Sequence, residues 1–362
     1  MSIPDCTLVT ACYDLSRFNN NSRKLDDALD KMNSLLETPC YLVIFTDKIF
    51  YEKIFNIRNN YGLNNLTFYI IKEIENLNMY KYVDIVKSNR EKYHPTKDER
   101  TCAESHLICC SKFDFVLDII FLNPFKTSKF GWIDSNIGVN FSKICIDYKK
   151  NMLLNALHNA TEKFHIQILN VESKKYIKYE NLKEYYENYR WIVCGCLFIT
   201  GKEIGIKILN ELNHVALNHT ILGYGHGEEM FYLEILEKYY DDISRSYGEY
   251  NTILNNFSKI TTNIHYIYNV IILRYLHNKY YKECIECCEK VISAYDNFVM
   301  EINYEMYFNI IFTLYVSYYY VDIKKAKQTA NKLLELVEKN TYIKNEFDKN
   351  KKYHTEQLNY VM

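Results

Sequence analysis

The sequence predicts an α/β domain with a mostly parallel sheet flanked by helices, followed by an all-α helical-hairpin region. Three observations predict it. Short apolar runs alternate with stretches of helical spacing through residues 1–254. Thr7 to Tyr13, Arg23 to Leu36 and Tyr41 to Thr46 read as strand, helix and strand, with a crossover of the length that makes neighbouring strands parallel. Beyond them, residues 255–362 carry only helical periodicity. Two domains are expected, 1–254 and 255–362.

Thr7 to Tyr13 is an apolar run that ends at Asp14, and a polar loop, Ser16 to Ser22, follows it. The first helix places Leu25, Leu29, Met32, Leu35 and Leu36 at helical spacing and stops at Pro39. Tyr41 to Thr46 ends at Asp47, so parallel pairing would bring Tyr13, Asp14 and Asp47 to one edge of the sheet. Ile49 to Tyr61 reads as a helix, Leu66 to Ile71 as a third strand, and Asn76 to Lys92 as mixed until His94-Pro95 breaks it. Asp98 to Leu122 reads as one long helix or two joined, with Lys112 ahead of the apolar series Phe113, Val116, Leu117, Ile120 and Phe121. A loop, Asn123 to Lys129, feeds the buried strand Phe130 to Ile133, which ends at Asp134. Lys163 to Leu169 and Trp191 to Thr200 are further strands, with a helix from Tyr179 to Tyr189 between them. Glu203 to Leu217 is a helix, and the turn Gly223-Tyr224-Gly225-His226-Gly227 opens another from Glu228 to Tyr240.

The last region reads as four helices, Thr262–His277, Tyr281–Ala294, Ile302–Tyr320 and Ile323–Glu338. Lys282-Glu283-Cys284, Cys288 and Lys290 match Lys324-Lys325-Ala326, Ala330 and Lys332 at a period of 42 residues. Small residues four apart on the second helix of a pair resemble tetratricopeptide-type hairpins. A protein partner, or self-association, is the use expected of this part.

Charge and cysteine usage narrow the function classes. With 44 basic against 45 acidic residues the chain has no electrostatic footprint for nucleic acid or an anionic membrane. No two C-x-x-C pairs among the 12 cysteines stand at zinc-ribbon spacing, and Cys284, Cys287 and Cys288 share a helix face where small apolar residues pack. So many unpaired thiols suit a reducing compartment. The start, Met1-Ser2-Ile3-Pro4-Asp5, lacks the features of a secretory signal, and Ile310 to Val321 is too short to span a bilayer. The expectation is a soluble, cytoplasmic protein.

Three places carry candidate chemistry, each with two readings. Asp134 and Asn136 at a strand's carboxyl end can hold a hard divalent cation against a diphosphate, or can simply form an Asx-turn. Gly195 inside an apolar run allows close approach of a ligand, or serves packing. His226, Glu228 and Glu229 face the crevice, or the two glutamates complement a helix dipole.

Ser111-Lys112 with Phe115, then Asn123-Pro124-Phe125, then Trp132-Ile133-Asp134 form a spaced pattern, S-K, N-P-F and W-I-D. This pattern resembles the HtrL/YibB-type glycosyltransferase-like family. The opening Leu8-Val9-Thr10-Ala11 and the Gly-rich turn before Glu228-Glu229 fit it too, so the likeness covers residues 5 to 240. The resemblance implies a GT-A-like fold, that of nucleotide-diphospho-sugar transferases, a nucleotide-sugar donor with a UDP-sugar as first candidate, a glycan or protein acceptor, and Mn²⁺ or Mg²⁺. It would put Asp134, Asn136 and His226 on the metal. Lys112 and Arg23 would contact phosphate, and Thr10, Tyr13 and Asp47 the nucleoside. Gly195 would lie against the sugar, and Glu229 or Glu228 would bind the acceptor or act as base. Asn136 departs from the family's acidic pair, and its neutral carbonyl binds a divalent cation more weakly than a carboxylate would. The competing function is a non-catalytic, degenerate transferase domain that presents the helical part to a partner.

Overall fold

The computed structural model of the chain describes residues 2–22, 24–92, 98–137, 150–224, 227–254, 263–339 and 344–345. The fold class is α/β. Seven strands form one mixed sheet in the order β3-β2-β1-β4-β6-β5-β7. They are β1 (Cys6–Cys12), β2 (Tyr41–Thr46), β3 (Thr67–Ile71), β4 (Lys129–Ile133), β5 (Phe164–Ile168), β6 (Leu197–Gly201) and β7 (Ile243–Tyr247). β3, β2, β1 and β4 run parallel, β6 runs antiparallel to β4, and β5 runs antiparallel to β6.

β1 is buried along its whole length because helices cover both of its faces. Cys6, Leu8 and Cys12 project with the period of two into one core. That core also takes Leu29, Met32, Leu35 and Leu36 of α1 (Leu25–Leu36), Phe50 and Ile54 of α2 (Lys48–Asn60), and Leu153, Leu154 and Leu157 of α5 (Lys150–Asn159). On the opposite face Phe115 of α4 (Ala103–Leu122) stacks on Phe45 of β2, ring centroids 4.2 Å apart, and lies 6.2 Å from the Trp132 ring of β4. α4 packs on α7 (Lys202–Ile221), where Asn213 donates to Asp114 at 2.7 Å. Gly205 of α7 has no room for a side chain, since a Cβ on it would sit 2.7 Å from Thr200 Cγ2 of β6 and 3.0 Å from Ile120 Cδ1 of α4.

Two polar groups, one buried and one partly so, set the connections. The Arg58 guanidinium of α2 donates to the carbonyls of Leu36, Thr38 and Cys40 and to Thr67 Oγ1, so one side chain holds the α1–β2 turn against β3. Asn123, left-handed at φ 40°, closes α4; its amide clasps the carbonyl and N–H of Thr127, both at 3.0 Å. Phe125 in the same loop stacks on Tyr41 at 4.8 Å. The N-P-F segment therefore shapes the loop that delivers β4.

Three sequence readings are corrected, and one strand, β7, is added. Trp191 to Thr200 is a strand only from Leu197; before it the chain makes a single bridge, Val193 to Ile168, with Trp191 turned to solvent. Ile192, Val193, Cys194 and Cys196 are buried, and the backbone of Ile192 and Cys194 bonds to the chain at the end of β5. Asp98 to Thr101 is a turn, in which the Asp98 carbonyl accepts the Thr101 N–H at 3.0 Å, and α4 starts after Cys102. The segment after Gly227 opens as a 3-10 turn, Glu228–Phe231, before α8 (Tyr232–Lys238). β7 carries the polar alternation Ser244, Arg245, Ser246 and has no apolar run to mark it.

The chain divides into two compact units, Met1–Ser246 with Tyr250–Ser258 and Tyr247–Glu249 with Lys259–Met362. The second is helical. Ile264–Tyr266, Ile267–Ile272 and Leu273–His277 make one rod whose middle section is a π-helix, and Tyr281–Asp296, Tyr304–Val321 and Ile323–Lys339 follow. Cys284, Cys287, Cys288, Ala326 and Ala330 are buried there, as small packing residues. Among the described residues no helix is long and apolar enough to cross a membrane.

Candidate functional site

The strand order fixes where a ligand can sit. β1 has β2 on one side and β4 on the other, so the chain's direction of travel across the sheet reverses between β1 and β4. In open α/β sheets the crevice outside the carboxyl ends of the strands at that reversal is where ligands bind. A cavity of about 320 Å³ lies there. The end of β1 supplies Ala11, Cys12 and Tyr13, and the end of β4 supplies Trp132, Asp134, Ser135 and Asn136. Lys112, Cys109 and Ser105 come from α4, and Asp98, Arg100 and Thr101 from the turn ahead of it. The volume falls within the range of small-molecule sites.

Asp134 is held by both neighbours of its turn. Its N–H donates to the Cys196 carbonyl at 2.8 Å, and its carbonyl accepts the Ile137 N–H at 3.1 Å. Its Oδ1 accepts the Trp132 indole N–H at 2.6 Å, which explains why a tryptophan stands two residues ahead on the same face. Lys112 Nζ lies 3.6 Å from the same oxygen and 5.3 Å from the Trp132 ring centroid.

Lys112 is not a solvated helix lysine. It is 1% exposed, donates to the Gly195 carbonyl at 3.1 Å, and is ion-paired with Glu228 Oε1. Burial pulls its pKa down, but the Asp134 and Glu228 carboxylates outweigh that and hold it well above the usual lysine range. Glu229 is the opposite case. It is buried beside Glu228, and burial followed by the Glu228 charge pushes its carboxyl up to about 8. Tyr189 Oη donates to Glu229 Oε2, and the Tyr250 hydroxyl lies 3.5 Å from Oε1. The Tyr185 hydroxyl donates to the Met230 carbonyl at 2.8 Å and so fixes the turn that carries both glutamates. Near neutral pH Glu229 is therefore mostly protonated, beside the ion-paired Lys112.

A family model for HtrL_YibB, described as a bacterial protein of unknown function, matches residues 4–228, more than half of the chain. The chain belongs to the HtrL_YibB family. The match takes in Lys112, Asp134 and Asn136 and ends on Glu228. None of the curated proteins matches this HtrL_YibB chain. Among solved structures, the apo crystal structure of mouse xyloside xylosyltransferase 1 is a distant likeness, with 12% identity over 66% of this chain and 84% of that one and a TM-score of 0.34.

Of the residues singled out in the sequence of this HtrL_YibB member, Tyr13, Lys112, Asp134 and Asn136 meet in the cavity wall. Tyr13 is more than nine-tenths buried, and its hydroxyl has no hydrogen-bond partner among the described residues. Thr10 is fully buried inside β1, its hydroxyl also without a partner among the described residues. Asp47 spends both carboxylate oxygens on backbone, taking the Asp14 N–H at 2.7 Å and capping α2 through the Phe50 N–H at 3.0 Å. Gly195 faces the glutamates, where a Cβ would lie 2.8 Å from Glu228 Oε1 and 3.1 Å from Glu229 Cγ. Glu228 and Glu229 stand behind Lys112 and do not line the cavity. Arg23 and His226 lie outside the described residues. Sequence reading missed Arg100 and Asp98, which had been assigned to a helix, and Tyr189 and Tyr250, which 35 tyrosines in the chain made inconspicuous.

Among the described residues, which leave out His226, the wall does not make a site for a divalent cation. One Asp134 oxygen is engaged by the indole, and the Lys112 ammonium stands beside that same oxygen. Asn136 adds only a neutral carbonyl. Among the described residues no group of three or more His, Cys, Asp and Glu is placed to hold a metal. Mg²⁺ and Mn²⁺ favour several oxygen ligands with net negative charge, and a fixed ammonium 3.6 Å away opposes that.

Proposed function

We propose that this HtrL_YibB chain is a glycosyltransferase, with a nucleotide-diphospho-sugar as donor and a hydroxyl of a glycan or protein as acceptor. The observation that carries the reading is the cavity at the sheet's reversal point, with Asp134 at the end of β4 on its wall. Its walls supply both kinds of surface such a donor needs. Ala11, Leu15, Ala28, Tyr13 and Trp132 offer apolar and aromatic area for a base and ribose, and Arg100, Ser105, Ser135 and Asn136 offer polar contacts.

In the reaction the bond between the anomeric carbon and the diphosphate oxygen breaks, and its electron pair leaves on that oxygen. The acceptor hydroxyl oxygen bonds to the anomeric carbon and gives up its proton. Stabilising charge on the departing diphosphate is the largest task. Asp134 and Asp98 are the carboxylates in the cavity wall, placed to accept hydroxyl protons of sugar or acceptor. Glu228 acts through Lys112, fixing the ammonium that in turn fixes Asp134. The open crevice around Asp134 supports the catalytic reading over a degenerate module, whose pocket side chains would fill.

The test is turnover of a panel of UDP-, GDP- and CDP-sugars, read as release of the nucleoside diphosphate. Asp134→Asn keeps a hydrogen-bond acceptor for the Trp132 indole and removes the charge. It should lower turnover by about a hundredfold or more with the fold retained by circular dichroism, while the melting temperature falls because Lys112 loses one of its two carboxylates. Turnover of one donor by the wild type and an equal rate in the variant would remove Asp134 from the mechanism; no turnover of any donor would count against the transferase itself.

A further inference from the structure

Building on the transferase reading, we infer that Arg100, released from Asp98, binds the donor's diphosphate and neutralises it without a divalent cation. The inference starts from the disagreement between the expected metal and the residues present. A diphosphate in this cavity carries two or more negative charges next to Asp134, so a cation must meet it. Among the described residues the cationic side chains on the cavity wall are Lys112 and Arg100. Lys112 is buried and already holds Glu228, and taking it away would strand a buried carboxylate.

Arg100 is the opposite in every respect. Its side chain is 62% exposed, and its partner Asp98 is exposed enough for water to replace the pairing. An exposed ion pair of this kind contributes little, so exchanging Asp98 for a phosphate is easy. The geometry is already that of anion recognition. Arg100 Nε and Nη2 donate to the two Asp98 oxygens at 2.9 and 2.7 Å, a two-pronged contact that a phosphate can reproduce. The carboxylate stands in for the anion in the resting protein.

The turn that carries Arg100 is built into the cavity. Ser22 Oγ donates to the Arg100 carbonyl at 3.2 Å, and Asn19 Nδ2 donates to the Glu99 carbonyl at 2.8 Å. From below, Arg90 Nη2 donates to Thr101 Oγ1 at 2.7 Å and to its carbonyl at 3.0 Å. The backbone at Arg100 is thus pinned on both sides while its guanidinium stays free to change partner.

Isothermal titration of the full chain with UDP, GDP, CDP and their nucleosides tests this, in EDTA and again with Mn²⁺. The diphosphate that binds should do so equally well in EDTA. Arg100→Ala should weaken it about tenfold to a hundredfold, the range of one or two charge-assisted hydrogen bonds, and leave its nucleoside unaffected. Asp98→Asn should tighten the diphosphate by removing the competing anion, and it keeps Arg100 intact should the alanine variant fold poorly. Binding that vanishes in EDTA and returns with Mn²⁺ overturns the inference and leaves the transferase reading standing. So does diphosphate affinity unchanged by both substitutions. Binding of no nucleotide in any condition overturns both.

Discussion

Replacing Lys112 by methionine separates two roles that the residue could have. If the ammonium served chiefly to meet a ligand, methionine, of similar length and apolar, would be tolerated in its buried position and only binding would suffer. The structure predicts a fold defect instead. Lys112 is 1% exposed, and its removal leaves the Glu228 carboxylate, 7% exposed, and the Gly195 carbonyl without their donor. Breaking one side of a buried pair costs about 3–5 kcal/mol. For a unit of this size that corresponds to a melting temperature lower by about 6–20 °C. Urea unfolding followed by circular dichroism reads the difference directly. Glu228→Gln in the same background removes the stranded charge, and should recover most of the loss. The coupling between the two substitutions should exceed about 1 kcal/mol. A Lys112→Met protein within about 1 kcal/mol of wild type, or additive single effects, would refute the view that the pair is a structural unit.

Three further outcomes follow from the same cluster. Glu229, faced by Glu228, Lys112, Tyr189 and Tyr250, has its carboxyl raised to about 8, so the native state binds more protons than the unfolded chain between about 4.5 and that value. Stability should therefore be greatest at the acid end of this window and fall as pH rises through it, and Glu229→Gln should flatten the dependence seen in urea midpoints measured from pH 5 to 8. Gly195→Ala should destabilise by about 1–3 kcal/mol, since its Cβ would press on Glu228 Oε1 at 2.8 Å; an unchanged unfolding midpoint would show that the loop yields. Tyr13→Phe removes a buried hydroxyl that has no partner among the described residues, so the unfolding free energy of the ligand-free protein should be unchanged or higher by about 1 kcal/mol; a loss of more than about 1 kcal/mol would show that the hydroxyl is bonded.

The three inner strands of the parallel half, β1, β2 and β4, were legible because they are covered on both faces. A strand buried on both faces reads as a continuous apolar run, and β1, β2 and β4 do so within a residue of their ends. β7 was not legible, because its polar alternation resembles a loop when its partner strand is unknown. Asp134 stood out because a short apolar strand ends at it. Lys112 stood out only through the spaced pattern, since nothing local distinguishes a buried lysine from an exposed one. Its partner lies 116 residues further along, and no periodicity links positions so far apart. Arg100 was hidden for another reason. Asp98, Thr101 and Ser105 suit a helix start as well as a turn, and the choice is made by Asn19, Ser22 and Arg90 in contacts that sequence does not display.

The central claim is that the cavity between the ends of β1 and β4 holds a nucleotide. A thermal-shift screen of the full chain with UDP, GDP, CDP and their sugars, on wild type and Asp134→Asn, tests it most directly. A ligand that binds only the native state raises the melting temperature in proportion to the logarithm of its excess over Kd. The account predicts a rise with one nucleotide class, reduced or lost in the variant. Equal rises in both proteins would put the nucleotide elsewhere, and no rise with any of them would contradict the account.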